Sequence, residues 1–330
     1  ADGLVNFYLP GYVRTGLSAT LRRAGGRITS RFTDGNDQVI EPFVEVRPEV
    51  IQALGRLARS GASMEARANA ARAIGILRGR AAIPDLLEAV RSKDTRVIYE
   101  SLIAFQKIRD RSAGPRLTFL LRDLDEQVQA TAIETAGLLY NLEALPVLCD
   151  VLGRTSSRRV RRAALSAIAM LPDESNRPVL LNYLNDRDAQ LRAAVYEGLG
   201  RIKNPSDTPA LKKAFEGESD NLARLSAAFA LVMLGNLELG QHSPFQYLVD
   251  NLNSAARARV AQALLIEAAR TPEVRKALYP LFAGATRAEK IGLARVLAES
   301  GDAESVQYLE PLTRDASTEV AEQAIRALRT

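Results

Sequence analysis

The sequence is poor in the residues that build metal, disulfide and many catalytic sites. Its 330 residues include one cysteine, one histidine and no tryptophan. The single cysteine, Cys149, excludes an internal disulfide and a multi-cysteine zinc site, and the single histidine, His242, excludes paired-histidine metal sites. No phosphate-binding glycine loop, dinucleotide fingerprint or serine nucleophile elbow is present. We therefore predict a protein without cofactor, metal or catalysis, although a site built only from carboxylates stays open.

Long apolar runs are also absent. The longest run, near residues 225–234, is about half of the roughly 18 residues that a membrane span requires. Apolar residues make up 47% of the chain, charged residues 25% and aromatic residues 5%. This composition is typical of globular proteins, and abundant alanine and leucine with few β-branched runs favour helices. The sequence therefore predicts a helical globular chain without a membrane span.

What the sequence does contain is an internal repeat of about 31 residues. Five prolines follow one another at spacings of 31, 31, 32 and 31 residues: Pro84, Pro115, Pro146, Pro178 and Pro209. Five residues of the kind that cap helices keep step with them: Asp94, Asp125, Ser157, Asp188 and Asp220. Proline is tolerated in the first turn of a helix, and aspartate and serine cap the next helix. Each period therefore predicts two helices.

Two short helices cannot bury their apolar faces alone, whereas stacked pairs share a continuous core. We count nine pairs, which begin near Pro48, Arg80, Ser112, Leu142, Glu174, Pro205, Pro244, Thr271 and Gly301. The predicted fold class is all-α, a right-handed α-solenoid of about nine antiparallel helix pairs over residues 48–330.

Residues 1–47 do not follow the repeat. They predict a short helix at residues 17–24 and a β-hairpin over residues 27–46. One interpretation is a cap over the apolar end of the first repeat. The alternative is a separate binding element, because this segment holds Arg14, Arg22, Arg23, Arg27 and Arg31.

The repeat pattern resembles HEAT repeats, in particular the short bacterial variety related to phycobilin lyase subunits. The resemblance covers residues 48–330 and is carried by Asp125/Val128, Ser157/Val160/Arg161, Asp188/Leu191/Arg192 and Asp220/Ala223/Arg224. It implies that the second helices line a concave face, and that the recurrent arginine joins successive repeats in a ladder with the aspartates. It also suggests a tetrapyrrole partner.

Residues 154–162 contain five arginines, and the repeat explains only one of them. Ser157 is predicted to cap the second helix, Val160 to lie in the core and Arg161 to belong to the ladder. Neighbouring repeats have no base at the positions of the other four, which are Arg154, Arg158, Arg159 and Arg162. Three interpretations stay open: a solvated basic surface, a patch for an acidic partner, and a nucleic-acid site. Glu134 and Glu197 interrupt any continuous phosphate track, which counts against the third.

A second candidate surface is apolar. The second helix of the sixth pair carries one stripe at helical spacing, formed by Leu222, Leu225, Phe229 and Met233. Either the inserted segment at residues 237–248 folds over this stripe, or the stripe is a docking groove for a partner segment.

From these features we predict a non-catalytic scaffold for protein–protein interaction. It would bind a protein partner with an acidic segment on the concave face, through the arginines and the apolar stripe. The alternatives are a lyase-like enzyme subunit acting with a tetrapyrrole or protein partner, and a nucleic-acid-binding HEAT-like protein.

Overall fold

The computed structural model describes residues 2–9, 39–41 and 43–330. All regular structure in these residues is helical. The chain divides into two compact units, Ala1–Leu171 and Pro172–Thr330. The first unit holds four helix pairs and the second holds five, so the predicted all-α class and the number of nine pairs are confirmed over the described residues.

Each pair, called a repeat and numbered 1 to 9 in chain order, has a first and a second helix. The first helices are Pro48–Ser60, Ile83–Ala89, Arg111–Arg122, Leu145–Arg154, Arg177–Leu181, Thr208–Gly217, Pro244–Asp250, Pro272–Leu278 and Val306–Leu309. The second helices are Met64–Ile76, Thr95–Ile108, Glu126–Leu138, Arg158–Met170, Ala189–Ile202, Asn221–Met233, Ala258–Ala268, Arg287–Ser300 and Thr318–Ala327. Short 3-10 turns flank several first helices, as at Arg80–Ala82 and Leu142–Ala144.

The two residue series that define the repeat act as predicted. Pro84, Pro146, Pro178 and Pro209 lie in the first turn of their helices. The predicted caps accept backbone hydrogen bonds at the starts of five second helices: Asp94, Asp125, Ser157, Asp188 and Asp220. Pro115 is the exception, because it lies inside Arg111–Arg122, which is a 3-10 helix of 12 residues.

Glycines set the close approach between neighbouring second helices. A Cβ atom at Gly137 would lie 2.9 Å from the Cα atom of Ala167, and one at Gly75 would lie 2.8 Å from that of Ala104. The same arrangement recurs in the second unit, where a Cβ atom at Gly200 would lie 2.6 Å from the Cα atom of Ala230. Backbones this close leave no room for a larger side chain at these glycines.

The predicted ladder forms at only some positions. In repeat 8 the position of the recurrent arginine holds Lys290, which pairs with Asp315 of the following repeat at 2.7 Å. By contrast, Arg161 donates to the carbonyl oxygen of Thr155 at 2.9 Å, within its own repeat. For Arg161 the ladder prediction is therefore wrong: this guanidinium ties together the two helices of one pair.

The described parts of the N-terminal segment contact repeat 1. The helix Asp2–Tyr8 buries Val5 and packs against Met64–Ile76, and the Tyr8 hydroxyl accepts a hydrogen bond from the amide of Arg47 at 3.3 Å. Residues 39–41 and 43–46 form no strand, so that half of the predicted hairpin is wrong. The predicted helix at 17–24, the other half of the hairpin and the five arginines lie outside the described residues. A division between residues 1–47 and 48–330 stays a prediction.

Candidate functional site

The predicted arginine cluster lies where the two helices of repeat 4 meet. Arg154 ends the first helix, and Arg158 begins the second. Ser157 caps the second helix, because its hydroxyl oxygen accepts from the amide of Val160 at 3.2 Å. Val160 is buried. The predicted roles of Ser157 and Val160 are thus confirmed, and they place the neighbouring arginines at the surface.

Arg154 is exposed but has an acidic partner. Its Nε lies 2.6 Å from Oδ1 of Asp150, one turn earlier on the same helix. Arg122 of repeat 3 donates to the other oxygen of Asp150 at 3.0 Å. Two guanidinium groups therefore share one carboxylate, which leaves a net formal charge of +1 at this contact.

The second helix carries the remaining cluster residues. Arg159 is exposed and Arg162 is half-buried, and they lie three residues apart on one helix face. Arg158 is exposed, and both Arg158 and Arg162 take part in further interactions. In the part of the chain that the structure describes, Arg159 forms no ion pair. The cluster is therefore a positively charged surface, and its ligand stays a prediction.

The apolar stripe of repeat 6 is largely core. Leu225 and Phe229 are both 0% exposed, while Leu222 and Met233 are half-buried. Their helix packs against the first helices Thr208–Gly217 and Pro244–Asp250 and against the second helices of repeats 5 and 7. Because neither Leu225 nor Phe229 offers surface to a partner, the docking-groove interpretation is wrong for these two residues. The helix Pro244–Asp250, which begins within the inserted segment, packs against this helix, and the interpretation that the inserted segment folds over the stripe stays a prediction.

A charged side chain covers the ring of Phe229. The guanidinium of Arg201 lies 5.5 Å from the centre of this ring. It continues to Glu267 of repeat 7, where it forms two hydrogen bonds of 2.6 and 2.7 Å to the two carboxylate oxygens. Arg201 is also 3.5 Å from Glu197, which accepts from the hydroxyl of Ser226 at 2.7 Å. Because its charge is paired with buried carboxylates, the Arg201 guanidinium can lie over the apolar ring of Phe229.

This network has almost no signature in the sequence. Glu197 is notable there only as an interruption of a basic track, and Arg201 and Glu267 are 66 residues apart. The one available signal is the position of Glu197 on a second helix beside small residues. This position indicates a buried carboxylate only when a cation is known to contact it.

A second buried network joins repeats 5 and 6. Arg192 donates two hydrogen bonds to Glu218, at 2.8 and 2.6 Å, and one to the carbonyl oxygen of Asp186 at 2.7 Å. Tyr196 donates to Glu218 at 3.2 Å. Burial alone would raise the pKa of Glu218, but the bonds from Arg192, Tyr196 and the amide of Asp220 outweigh it and lower that pKa. Burial, together with the nearby charge of Glu218, raises the pKa of Tyr196 to about 12.

These shifts give a testable pH dependence. Since the pKa of Glu218 is lowered in the folded chain, its stabilising effect is present above its ordinary value of 4.5 and is lost as the pH falls below it. Glu218→Gln removes a charged hydrogen-bond acceptor and is expected to lower the free energy of unfolding at pH 7 by about 1.5–3 kcal/mol. The difference from wild type should shrink in acid. Urea unfolding at several pH values checks this, with the exposed Glu216→Gln as control. A difference independent of pH would contradict the role of Glu218.

The lone thiol is a poor nucleophile. Cys149 is half-buried on the first helix of repeat 4. Burial raises the pKa of its thiol, so the reactive thiolate is scarce at neutral pH. In the residues that the structure describes, no group of three or more His, Cys, Asp or Glu side chains could hold a metal ion. Nor is any helix in this part of the chain both long and apolar enough to cross a membrane.

The family match covers more than half of the chain. HEAT repeats match residues 51–137, 115–175 and 145–232. The alpha subunit of phycocyanobilin lyase from a Picosynechococcus species is 29% identical over 175 residues, which is 48% of this chain and 64% of that protein. The matched region thus spans less than two thirds of that relative's length.

Three solved structures align with the chain at low identity and low TM-score. The complex of CpcE and CpcF of phycocyanin lyase from Nostoc is 21% identical with a TM-score of 0.43, over 73% of this chain and 96% of that chain. Human deoxyhypusine hydroxylase is 18% identical with a TM-score of 0.35, over 86% of this chain and 96% of that one. Kap121p is 12% identical with a TM-score of 0.40, over 99% of this chain and 40% of that one.

The sequence relative contradicts two predictions. A non-catalytic scaffold that binds a partner on its concave face is contradicted by the likeness to a lyase subunit, and so is the expectation that the chain is not an enzyme. The repeat assignment, in contrast, is confirmed both by the nine helix pairs of the described residues and by the family match over residues 51–232. The chain belongs to the family of HEAT-repeat proteins.

Proposed function

We propose that this chain is a subunit of a lyase-type enzyme that handles an open-chain tetrapyrrole and works with another protein subunit. The observation that carries the proposal is the 29% identity over 175 residues to the alpha subunit of phycocyanobilin lyase. Since that relative is one subunit of its enzyme, the likeness also supports a protein partner for this chain.

The chemistry of the ligand fits the basic surface of repeat 4. Phycocyanobilin carries two propionate carboxylates, and arginine binds carboxylates through paired N–H donors. Arg159 and Arg162 lie on one face of the second helix, and Arg154 and Arg158 lie close to its start. In this proposal these four arginines hold the anionic side of the tetrapyrrole, or an acidic segment of the protein that carries it.

The reacting thiol, if the reaction uses one, belongs to another protein. Cys149 is the only cysteine of this chain, and burial raises its pKa. This subunit therefore binds and orients the tetrapyrrole without forming a covalent bond to it. Cys149→Ser is expected to leave binding and turnover unchanged.

An absorption titration tests the binding role. Phycocyanobilin is added to the purified chain, alone and in an extract of the cells that produce it, and the visible absorption band is followed. We expect a saturable spectral shift that Arg159→Glu with Arg162→Glu weakens by about tenfold or more. The exposed Arg270→Glu in the second unit is the matched control. A spectrum that stays that of free pigment in both preparations would reject the proposal.

A further inference from the structure

The second helix of repeat 9 exposes two apolar side chains at positions that other repeats bury. Ile325 and Leu328, which lie eight and eleven residues after the N-cap Ser317, are 41% and 37% exposed. In repeats 2 to 6 the residues at these positions are at most 3% exposed: Leu102, Ile133, Leu165, Tyr196 and Ala228 at the first, and Phe105, Ala136, Ile168, Leu199 and Leu231 at the second. Repeat 9 thus keeps an apolar surface of the kind that a packed neighbour covers.

Arg329 makes this surface unsuited to a further stacked repeat. It lies twelve residues after the cap and one turn beyond Ile325. In repeats 1, 3 and 5 this position is glycine, and a Cβ atom there would lie 2.8, 2.9 and 2.6 Å from a Cα atom of the next second helix. Repeats 2, 4, 6 and 8 also have uncharged residues there, which are Gln106, Ala169, Val232 and Ala298. An arginine fills the space that a helix stacked in this way would occupy, so the surface requires a different partner geometry.

Charged side chains flank the exposed apolar residues in a fixed order. Glu322, Ile325 and Arg329 follow one another at spacings of three and four residues and therefore share one side of the helix. Arg326 lies one turn after Glu322, at the border of this side. These four residues and Leu328 are all exposed, and we call them the repeat 9 face. Along it the acid comes before the central Ile325, and the two bases come after it.

The net charge of the repeat 9 face is small. Glu319, the other charged residue of this helix, pairs with Arg287 of repeat 8, so these two charges cancel. One acid and two bases remain on the face, a formal charge of +1. Arg329 already has a contact within the chain, but a guanidinium has five N–H donors and can serve a second acceptor. The order of the charges, rather than their sum, therefore decides which partner fits.

That order is complementary to its own reverse. When two copies of the helix lie antiparallel with their Ile325 side chains opposite each other, Glu322 of one copy lies opposite position 328 of the other. At a rise of about 1.5 Å per residue, Arg326 and Arg329 of the other copy then lie within about 3 Å of Glu322 along the helix axis. A two-fold axis repeats these ion pairs, so each glutamate lies between two arginines and the apolar side chains meet in the centre.

We propose that the repeat 9 face binds a second copy of this chain in an antiparallel, two-fold symmetric dimer. A parallel arrangement would place Glu322 against Glu322 and is excluded by like-charge repulsion. One helix per copy buries less than the roughly 800 Å² per partner that is typical of stable complexes, so we expect a dissociation constant on the order of 10 µM. The proposal goes beyond the lyase function and does not depend on it.

Sedimentation velocity of the full chain, from about 1 to about 100 µM and without pigment, tests the proposal. We expect a reversible monomer–dimer equilibrium that Ile325→Ser weakens by about tenfold. The control is Leu239→Ser in the same unit, since Leu239 is 45% exposed and lies outside the face. An equilibrium that Ile325→Ser leaves as strong as the control does would overturn the proposal, and so would a chain that stays monomeric at the highest concentration.

A charge swap tests the antiparallel geometry. Glu322→Arg alone, and Arg326→Glu together with Arg329→Glu, should each abolish the dimer, because like charges then meet across the axis. An equimolar mixture of these two variants should dimerise again, because each supplies the charges that the other now requires. The exposed Glu238→Arg is the control and should dimerise as wild type does.

Recovery in the mixture cannot result from damage to the fold, because two damaged chains would not restore each other. A mixture that stays monomeric would overturn the proposed interface. Because no pigment is present, failure here leaves the lyase proposal unaffected, and failure of the pigment titration leaves the dimer unaffected.

Discussion

Phe229→Ala is expected to lower the free energy of unfolding of the second unit by about 3–5 kcal/mol. The ring is 0% exposed, and its helix is packed on several sides by neighbouring helices. Truncation leaves a cavity that the flanking helices fill only in part, since close contacts such as that of Gly200 with Ala230 limit their movement. Urea unfolding followed by far-UV circular dichroism measures the effect.

Hydrogen exchange locates the loss. Protection of the amides in Asn221–Met233 and its neighbours should fall in Phe229→Ala, whereas the helices of the first unit should keep theirs. Leu222→Ala, on the same helix but half-buried, is the control and should cost clearly less. A cost for Phe229→Ala as small as that of the control would mean that the ring lies at a surface, as the docking-groove interpretation supposed.

Arg201→Met is expected to have a comparable effect, about 3–5 kcal/mol, because it removes the cation from between buried carboxylates. The side chains of Arg201 and Glu197 are each 6% exposed, and that of Glu267 is 24% exposed. Without the guanidinium, Glu197 and Glu267 lose a cationic partner and the ring of Phe229 loses its cover. The same unfolding experiment measures this, with the exposed Arg270→Met as control.

Two double-mutant cycles identify the cause of the stability loss in Arg201→Met. If unpaired carboxylates dominate, adding Glu267→Gln to Arg201→Met should recover part of the stability, because a neutral amide is less costly to bury than an unpaired charge. Adding Arg201→Met to Phe229→Ala should also cost less than the sum of the single changes, since the two side chains are in contact. Strict additivity in both cycles would show that the network does not act as a unit.

Local rules made the architecture predictable. Prolines in first turns and side-chain caps depend on a few neighbouring residues, so Pro84 and Asp94 could be placed from sequence alone. The recurrence of these signals then fixed the number of repeats. The same register placed Ser157 as a cap and Val160 in the core.

Contacts between distant residues were harder to predict. Aligned repeats show that an arginine recurs at the position of Arg161. They do not show whether its side chain contacts the next repeat or the carbonyl oxygen of Thr155. An apolar stripe does not reveal its depth, because the cover over Phe229 comes from Arg201. The long sequence separation of Arg201 and Glu267 has no periodic signature.

The proposed enzymatic role has no catalytic motif to predict it either. The prediction that the chain is not an enzyme rests on missing motifs, and a subunit that orients a tetrapyrrole through arginines needs none of them. The four arginines of repeat 4 were found because neighbouring repeats have no base at their positions. Their ligand is the subject of the binding titration.

The central claim is that this chain takes part in lyase chemistry on a tetrapyrrole. The most direct measurement is the rate at which phycocyanobilin becomes covalently attached to, or released from, phycocyanin in cells that make the pigment. Mass spectrometry of the protein–pigment adduct follows this rate with and without the chain. We predict a rate that requires the chain, persists with Cys149→Ser and falls with Arg159→Glu and Arg162→Glu. Equal rates with and without the chain would contradict the claim.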